Sequence, residues 1–298
     1  MRRGSPMTIS KYLDPKNDYA FKRIFGSEKN QDILIHFIND MLGFTEAKKI
    51  THVSFLQTNQ DPDIASQKQS ILDVLCTDPQ GCQYIVEMQV AKTEGFEKRA
   101  QYYAAKAYSR QLKEGEKYRH LKEVIFVAIT DFVMFPDKAE YKSDHVVLDK
   151  KTYEHDLKDF YFIFLELPKF KKNINELHTM IEKWAYFFKH AQKTSEEDVS
   201  KIVGSDAVME RAYAALNRFS YSDIEMNTYE AEEKKLMDNQ AVLDYQFSQG
   251  KAEGLQEGES KERITVAKKM LVAGAEVEFI ADCTGLSMAE VRALLSQD

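Results

Sequence analysis

Two short apolar runs joined by a turn, a helix-length stretch after them and an almost wholly apolar run beyond it predict an α/β fold. The expectation is a mixed sheet flanked by helices, followed by an α-helical C-terminal extension. Ile71 to Cys76 and Gln83 to Val90 flank Asp78-Pro79-Gln80-Gly81. Proline pre-sets φ at the second position of a type I turn and glycine suits the fourth, so the runs pair as an antiparallel hairpin. Glu123 to Thr130, EVIFVAIT, is short and nearly all apolar, the pattern of a central strand covered on both faces. The intervening helix makes a crossover, which sets this strand parallel to one hairpin strand.

The other elements follow from periodicity and punctuation. Asn17-Asp18 precedes Tyr19, Phe21, Ile24 and Phe25, a helical rhythm interrupted at Gly26. Ser27 is expected to cap a second helix with the stripe Ile33, Leu34, Phe37, Ile38, Met41 and Leu42, ended by Gly43 in the left-handed region. Lys49 to Gln57 reads as the first strand, and Thr58 to Ser66 as a polar loop able to carry substrate contacts. Gly95 opens a helix running to about Glu114. Asp144 to Asp149 and Phe160 to Leu167 read as further strands, the second stopped by Pro168. Ile174 to His190 reads as a helix with Trp184, Phe187 and Phe188 in the core, and Glu196 to Phe219 as one or two helices closing a first domain over residues 8–220.

Composition narrows the function classes. Hydrophobic content of 43% and aromatic content of 11% fit a soluble globular protein. No apolar stretch reaches the length of a membrane span, and no apolar signal region follows the basic N-terminus, so the expected location is cytoplasmic. Cys76, Cys82 and Cys283 have neither disulfide-framework nor zinc spacing, and the seven histidines are scattered singly. The net charge of −7 belongs to the tail: from Tyr221 onward there are 8 Lys and Arg against 16 Asp and Glu, leaving 33 against 32 for residues 1–220. A near-neutral domain binds DNA through a local basic face, with modest and salt-sensitive affinity.

Residues 221–298 read as an acidic helical arm ending in a small helical hairpin. Gly250, Gly254 and Gly258 recur in a polar, acidic setting. Phe279 to Ser287, then Val291 and Leu294-Leu295, has the helix, glycine turn, helix pattern of DNA-reading units. Glu276, Glu278, Asp282, Glu290 and Asp298 stand against Arg292 alone, which favours protein docking over DNA. Ser287 with Glu290 makes a capping box.

The chemistry concentrates in the hairpin and the helix after it. Glu87 and Gln89 share one strand face, and a register that sets Asp73 opposite them would gather three oxygen-bearing groups. Two carboxylates on strands this apolar repel each other unless a cation sits between them, and a hard divalent ion such as Mg²⁺ fits. Such an ion supports phosphodiester hydrolysis. The competing reading leaves both carboxylates in water at strand ends.

Asp73 followed by Glu87-Met88-Gln89 and a helix resembles the PD-(D/E)xK nuclease signature, and more specifically the recombination-promoting nuclease and putative transposase family, in which Glu-x-Gln often stands for Glu-x-Lys. Asp14-Pro15-Lys16-Asn17-Asp18-Tyr19-Ala20-Phe21-Lys22, then Phe96, Arg99 and Tyr103, then Phe164 to Phe170 also resemble stretches of that family. The likeness covers roughly residues 8 to 195. It implies a restriction-endonuclease-like α/β core and a metal-dependent DNA endonuclease acting in recombination. It further implies Asp73 and Glu87 as ligands of Mg²⁺ or Mn²⁺, with the Met88 carbonyl as a third. Gln89 would stand in the lysine's place, Asp18 would be an accessory acid, and Arg99 and Tyr103 would face the scissile phosphate. A stacked or surface-paired arginine is the structural alternative for Arg99. Glutamine lacks the lysine's charge, so either the metal and Arg99 cover that loss or activity is weak; a catalytically reduced DNA- or protein-binding module of the same fold is the alternative, and an RNA-directed nuclease shares the same metal site. A homodimer through the C-terminal arm would suit double-strand cleavage.

Overall fold

The computed structural model describes residues 10–60 and 70–295. Its compact units are residues 1–232 and 233–298. The strands of the first unit are β1 (Ser54–Phe55), β2 (Asn59–Gln60), β3 (Ser70–Ile71), β4 (Val74–Thr77), β5 (Gln83–Gln89), β6 (Val124–Thr130), β7 (Lys142–Val146) and β8 (Phe160–Glu166). Six of them form one sheet in the order β1-β4-β5-β6-β8-β7, while β2 and β3 pair separately. The polar loop expected at Thr58 to Ser66 lies mostly outside the described residues.

The sheet is mixed for the reason the sequence suggests. β4 and β5 are antiparallel across their turn, whereas β5, β6 and β8 run parallel because helical or long connections return the chain to the same end. Every residue of β6 is buried, as expected of a strand walled on both faces.

Alternate side chains serve two layers. Val74, Val86, Val127, Ile129 and Leu165 enter a large core shared with α1 (Asp18–Phe25), α2 (Gln31–Leu42), α4 (Met180–His190), α5 (Glu196–Val203) and α6 (Ala207–Ala215). Leu75, Ile85, Phe126, Ala128 and Phe164 face α3 (Phe96–Ser109), whose Ala100, Ala104 and Ala107 keep its sheet-facing side small. Trp184, Phe187 and Phe188 are core residues, and the indole Nε1 donates to Asp40 Oδ2 at 2.7 Å.

Several boundaries differ from the sequence reading, each because side chains take over backbone hydrogen bonds. The strand expected over Lys49 to Gln57 is reduced to Ser54–Phe55. The Asn39 amide binds Ile50 N–H and C=O, both at 2.8 Å, and the Gln31 amide donates to Val53 O, so these peptides are satisfied by α2 rather than by a neighbouring strand. Ser27 does not cap α2; its hydroxyl donates to Arg23 O, and a 3₁₀ turn, Glu28–Asn30, leads into the helix. Gly43 ends α2 at φ 63°, as expected. The helix expected from Ile174 is split, because Asn173 and Thr179 each form a capping box and the second starts α4. The helix opened by Gly95 closes at Ser109.

Glu166 is fully buried at the end of β8. Its Oε1 accepts from Met134 and Phe135 N–H and its Oε2 from Lys169 Nζ at 2.6 Å, which ties the segment after β6 to the sheet. α7 (Asp223–Val272) begins in this unit. Tyr229 is fully buried, its hydroxyl accepting from Asp14 N–H at 3.1 Å and its carbonyl from Asn17 Nδ2 at 3.0 Å.

In the second unit, α7 continues and is followed by α8 (Val277–Thr284) and α9 (Met288–Leu295). A small core gathers Ala267, Ile280 and Val291. Gly285 takes φ 71° between α8 and α9, and Ser287 and Glu290 exchange the bonds of a capping box. No helix among the described residues is long and apolar enough to cross a membrane.

His36 ties α2 to α6 by charge. Its Nδ1 lies 2.7 Å from Asp40 Oδ2 and its Nε2 3.2 Å from Asp206 Oδ2. Close pairing with Asp40 outweighs burial and, with Asp206 adding to it and Lys49 opposing, holds the imidazolium above the ordinary histidine range. A folded-state pKa raised above the unfolded one gives stability that is complete below about pH 6.5 and is lost as pH rises through the folded value. Urea titrations from pH 6 to 9 should therefore show a decline of about 1 kcal/mol, discounted for partial exposure, that His36→Gln removes.

Candidate active site

The site forms where the β4–β5 ladder stops. Val74 pairs with Val86, and extending that register by one residue sets Asp73 against Glu87. Here backbone pairing gives way to an exchange through side chains. Asp73 N–H donates to Glu87 Oε1 at 3.1 Å, and Met88 N–H donates to Asp73 Oδ2 at 2.8 Å. Each carboxylate is thus fixed by a peptide of the opposite strand.

Burial makes this pair electrostatically tense. Glu87 is 5% exposed and the Asp73 side chain 16%. Burial pushes Asp73 above the usual carboxylate range, opposed by the Met88 N–H bond and then by Lys22. Glu87 is pushed well above it, by burial first and the Asp73 charge second, against the Asp73 N–H bond, Arg99 and Lys22. The charged forms lack full compensation.

The remaining residues singled out in the sequence converge on the same end of the sheet. Gln89 Nε2 donates to Ala91 O at 2.8 Å, and its Oε1 accepts from Arg99 Nη2. Arg99 lies over the Phe96 ring at 4.7 Å, with the Tyr103 ring 5.9 Å away, and its buried Nε has no partner. The stacked arrangement and proximity to the carboxylates therefore coexist. Tyr103 is partly buried against the α3 layer. Asp18, in the first turn of α1, joins the group through Lys22, whose Nζ is 2.8 Å from Asp18 Oδ1 and 3.7 Å from Asp73 Oδ1.

Two contacts of the site are not read from the sequence. The Met88 amide N–H binds Asp73, a bond that depends on strand register. Lys22 reads in the sequence as a helix lysine that could touch phosphate or merely solvate a face. Its spacing of four from Asp18 was the available signal.

The donor chemistry fits a hard divalent cation. Asp73 Oδ1 and Glu87 Oε2 take no part in the two backbone bonds, and oxygen donors from one or two carboxylates suit Mg²⁺ or Mn²⁺. Among the described residues no three or more His, Cys, Asp or Glu side chains cluster as a larger cage.

Residues 15–246 match the sequence profile of the PD-(D/E)XK nuclease family transposases. The chain belongs to that family. No curated protein and no solved structure matches it. The mixed sheet with flanking helices agrees with the restriction-endonuclease-like α/β fold of this transposase family, and PD-(D/E)XK nucleases generally use divalent cations. In this transposase-family chain the strand residues that resemble the nuclease signature are Asp73, Glu87 and Gln89, with no lysine in the last place.

Because the buried pair repels itself, Glu87→Gln should stabilise the chelator-treated protein by about 1–2 kcal/mol in urea unfolding at pH 7.5. A neutral or destabilising result would mean that the two charges are already compensated.

Proposed function

We propose that the chain is a divalent-cation-dependent DNA endonuclease that hydrolyses phosphodiester bonds and is linked to recombination or mobile elements. The observation that carries this reading is the Asp73–Glu87 pair, a half-buried and a buried carboxylate pinned side by side with opposing peptides as their fixed partners. Asp73 and Glu87 would hold Mg²⁺ or Mn²⁺. Such a cation would supply Lewis acidity toward a phosphoryl oxygen and a water.

The surrounding residues orient the substrate. Arg99, steadied by Gln89 and the Phe96 ring, presents guanidinium N–H groups to a DNA phosphate, and Tyr103 borders the same space. Asp18 serves as an accessory acid that anchors the α1 side of the site. Residues 8–220 act as the nuclease body, with residues 221–298 as an arm for self-association into a homodimer. The reading places the protein in the cytoplasm.

Gln89 supports a second reading, a catalytically reduced module of the same fold that binds DNA or protein without cutting, because a neutral amide offers no charge to a developing phosphorane. Supercoiled-plasmid nicking with Mg²⁺ or Mn²⁺ separates the two. Asp73→Ala and Glu87→Ala should each lower nicking by at least about a hundredfold, with chelator doing the same. Wild-type nicking no faster than Asp73→Ala, together with metal-independent DNA binding, would replace the endonuclease by the binding module. Preferential digestion of a matched RNA would redirect the substrate to RNA.

A further inference from the structure

We infer that Lys22, carried on α1, supplies to the reaction centre the positive charge that the strand lacks at Gln89. This inference rests on the proposed nuclease reading and deepens it. Lys22 Nζ lies between two carboxylates, 2.8 Å from Asp18 Oδ1 and 3.7 Å from Asp73 Oδ1. Its side chain is 39% exposed, so the ammonium sits at the rim of the buried pair, where a phosphate would arrive.

Two lysines near the same sheet edge are held by other acids. Lys16 Nζ is bound to Asp131 Oδ2 at 2.6 Å, and Lys169 Nζ to Glu166 Oε2 at 2.6 Å and Phe135 O at 2.7 Å. Arg99 donates to Gln89 and stacks on Phe96, so its guanidinium is anchored at the strand residue, whereas Lys22 makes the ion contact with Asp73. Lys22 bonds the signature aspartate's neighbour on α1 and contacts the signature aspartate itself. Asp18 Oδ2 accepts from the ammonium at 2.9 Å and Oδ1 lies 2.8 Å away, so Asp18 holds it closer than Asp73 does.

The role follows from charge. A water oxygen bonds to phosphorus and releases a proton to solvent, the bond from phosphorus to the leaving oxygen breaks, and solvent returns a proton to that oxygen. Negative charge grows on the non-bridging oxygens as this happens, and a preorganised ammonium stabilises it without transferring a proton. In the resting protein the same ammonium offsets part of the Asp73 charge. Lys22 is therefore both a counter-charge of the carboxylate pair and a group available to the phosphate.

The test uses the full chain. In single-turnover plasmid cleavage at saturating Mg²⁺, Lys22→Met should slow the reaction about a hundredfold, and Lys22→Arg should stay within about tenfold of wild type. Adding Gln89→Lys to Lys22→Met, which returns an ammonium to the strand, should recover much of the loss, whereas a merely structural lysine would not be rescued from another element. Plasmid affinity in Ca²⁺ should change by no more than about threefold. Mn²⁺ binding to the protein alone, read by electron paramagnetic resonance, should tighten several-fold in Lys22→Met, because a competing positive charge has gone. Cleavage by Lys22→Met within about threefold of wild type, with Asp73→Ala inactive, overturns the inference and leaves the nuclease reading intact. Wild type no faster than Asp73→Ala overturns the nuclease reading instead. In that event tighter Mn²⁺ binding by Lys22→Met still supports Lys22 as the pair's counter-charge, and unchanged binding overturns it.

Discussion

The reciprocal exchange between Asp73 and Glu87 is the constraint on which the site depends. A strand ladder satisfies peptide N–H groups with peptide carbonyls. At the end of β4 that economy is broken, and two peptides are given to carboxylates instead. The arrangement fixes the orientation of two acids that would otherwise turn toward water, and holds them in an apolar surrounding that neither charge tolerates well. The sheet, the α3 layer and the α1–α2 core can be read as the means of keeping that end of the hairpin dry and in register.

The fold confines this tension to one edge. β6 is buried along its length, and β5 is buried from Tyr84 to Glu87, after which Met88 and Gln89 are partly open. The transition from closed to open thus falls at the signature residues. α1 and α3 reach that edge from different layers, one bringing the Asp18–Lys22 pair and the other Arg99 with its aromatic neighbours. The sheet supplies Asp73 and Glu87, and the two helices bring the cationic groups to them.

Much of this was legible in the sequence, and the misses have a common cause. The hairpin, the buried central strand, the aromatic core of α4 and the Gly43 and Gly285 helix ends follow from local patterns of hydrophobicity and turn chemistry. The shortened β1 was not legible, because Asn39 captures both backbone groups of Ile50 from a helix eleven residues away. Lys22 was undervalued for the same reason: its i, i+4 partner is local, but its contact with Asp73 bridges segments remote in the chain. Asp73 and Glu87 could be named from spacing and resemblance, while the use of their own backbones to orient one another required three dimensions.

The turn at the other end of the hairpin governs all of this from a distance. Asp78 Oδ1 accepts from Gln80 and Cys82 N–H, and its Oδ2 from the buried Tyr84 hydroxyl at 2.9 Å. Because side chains alternate along a strand, slippage of β5 by a single residue would send Glu87 into the α1–α2 core and turn Met88 toward Arg99. The knot at Asp78 is in effect a ruler, measuring out β5 so that acidity emerges on the proper side several residues later. The precision of the chemical end of the hairpin is thereby entrusted to an aspartate that never approaches it.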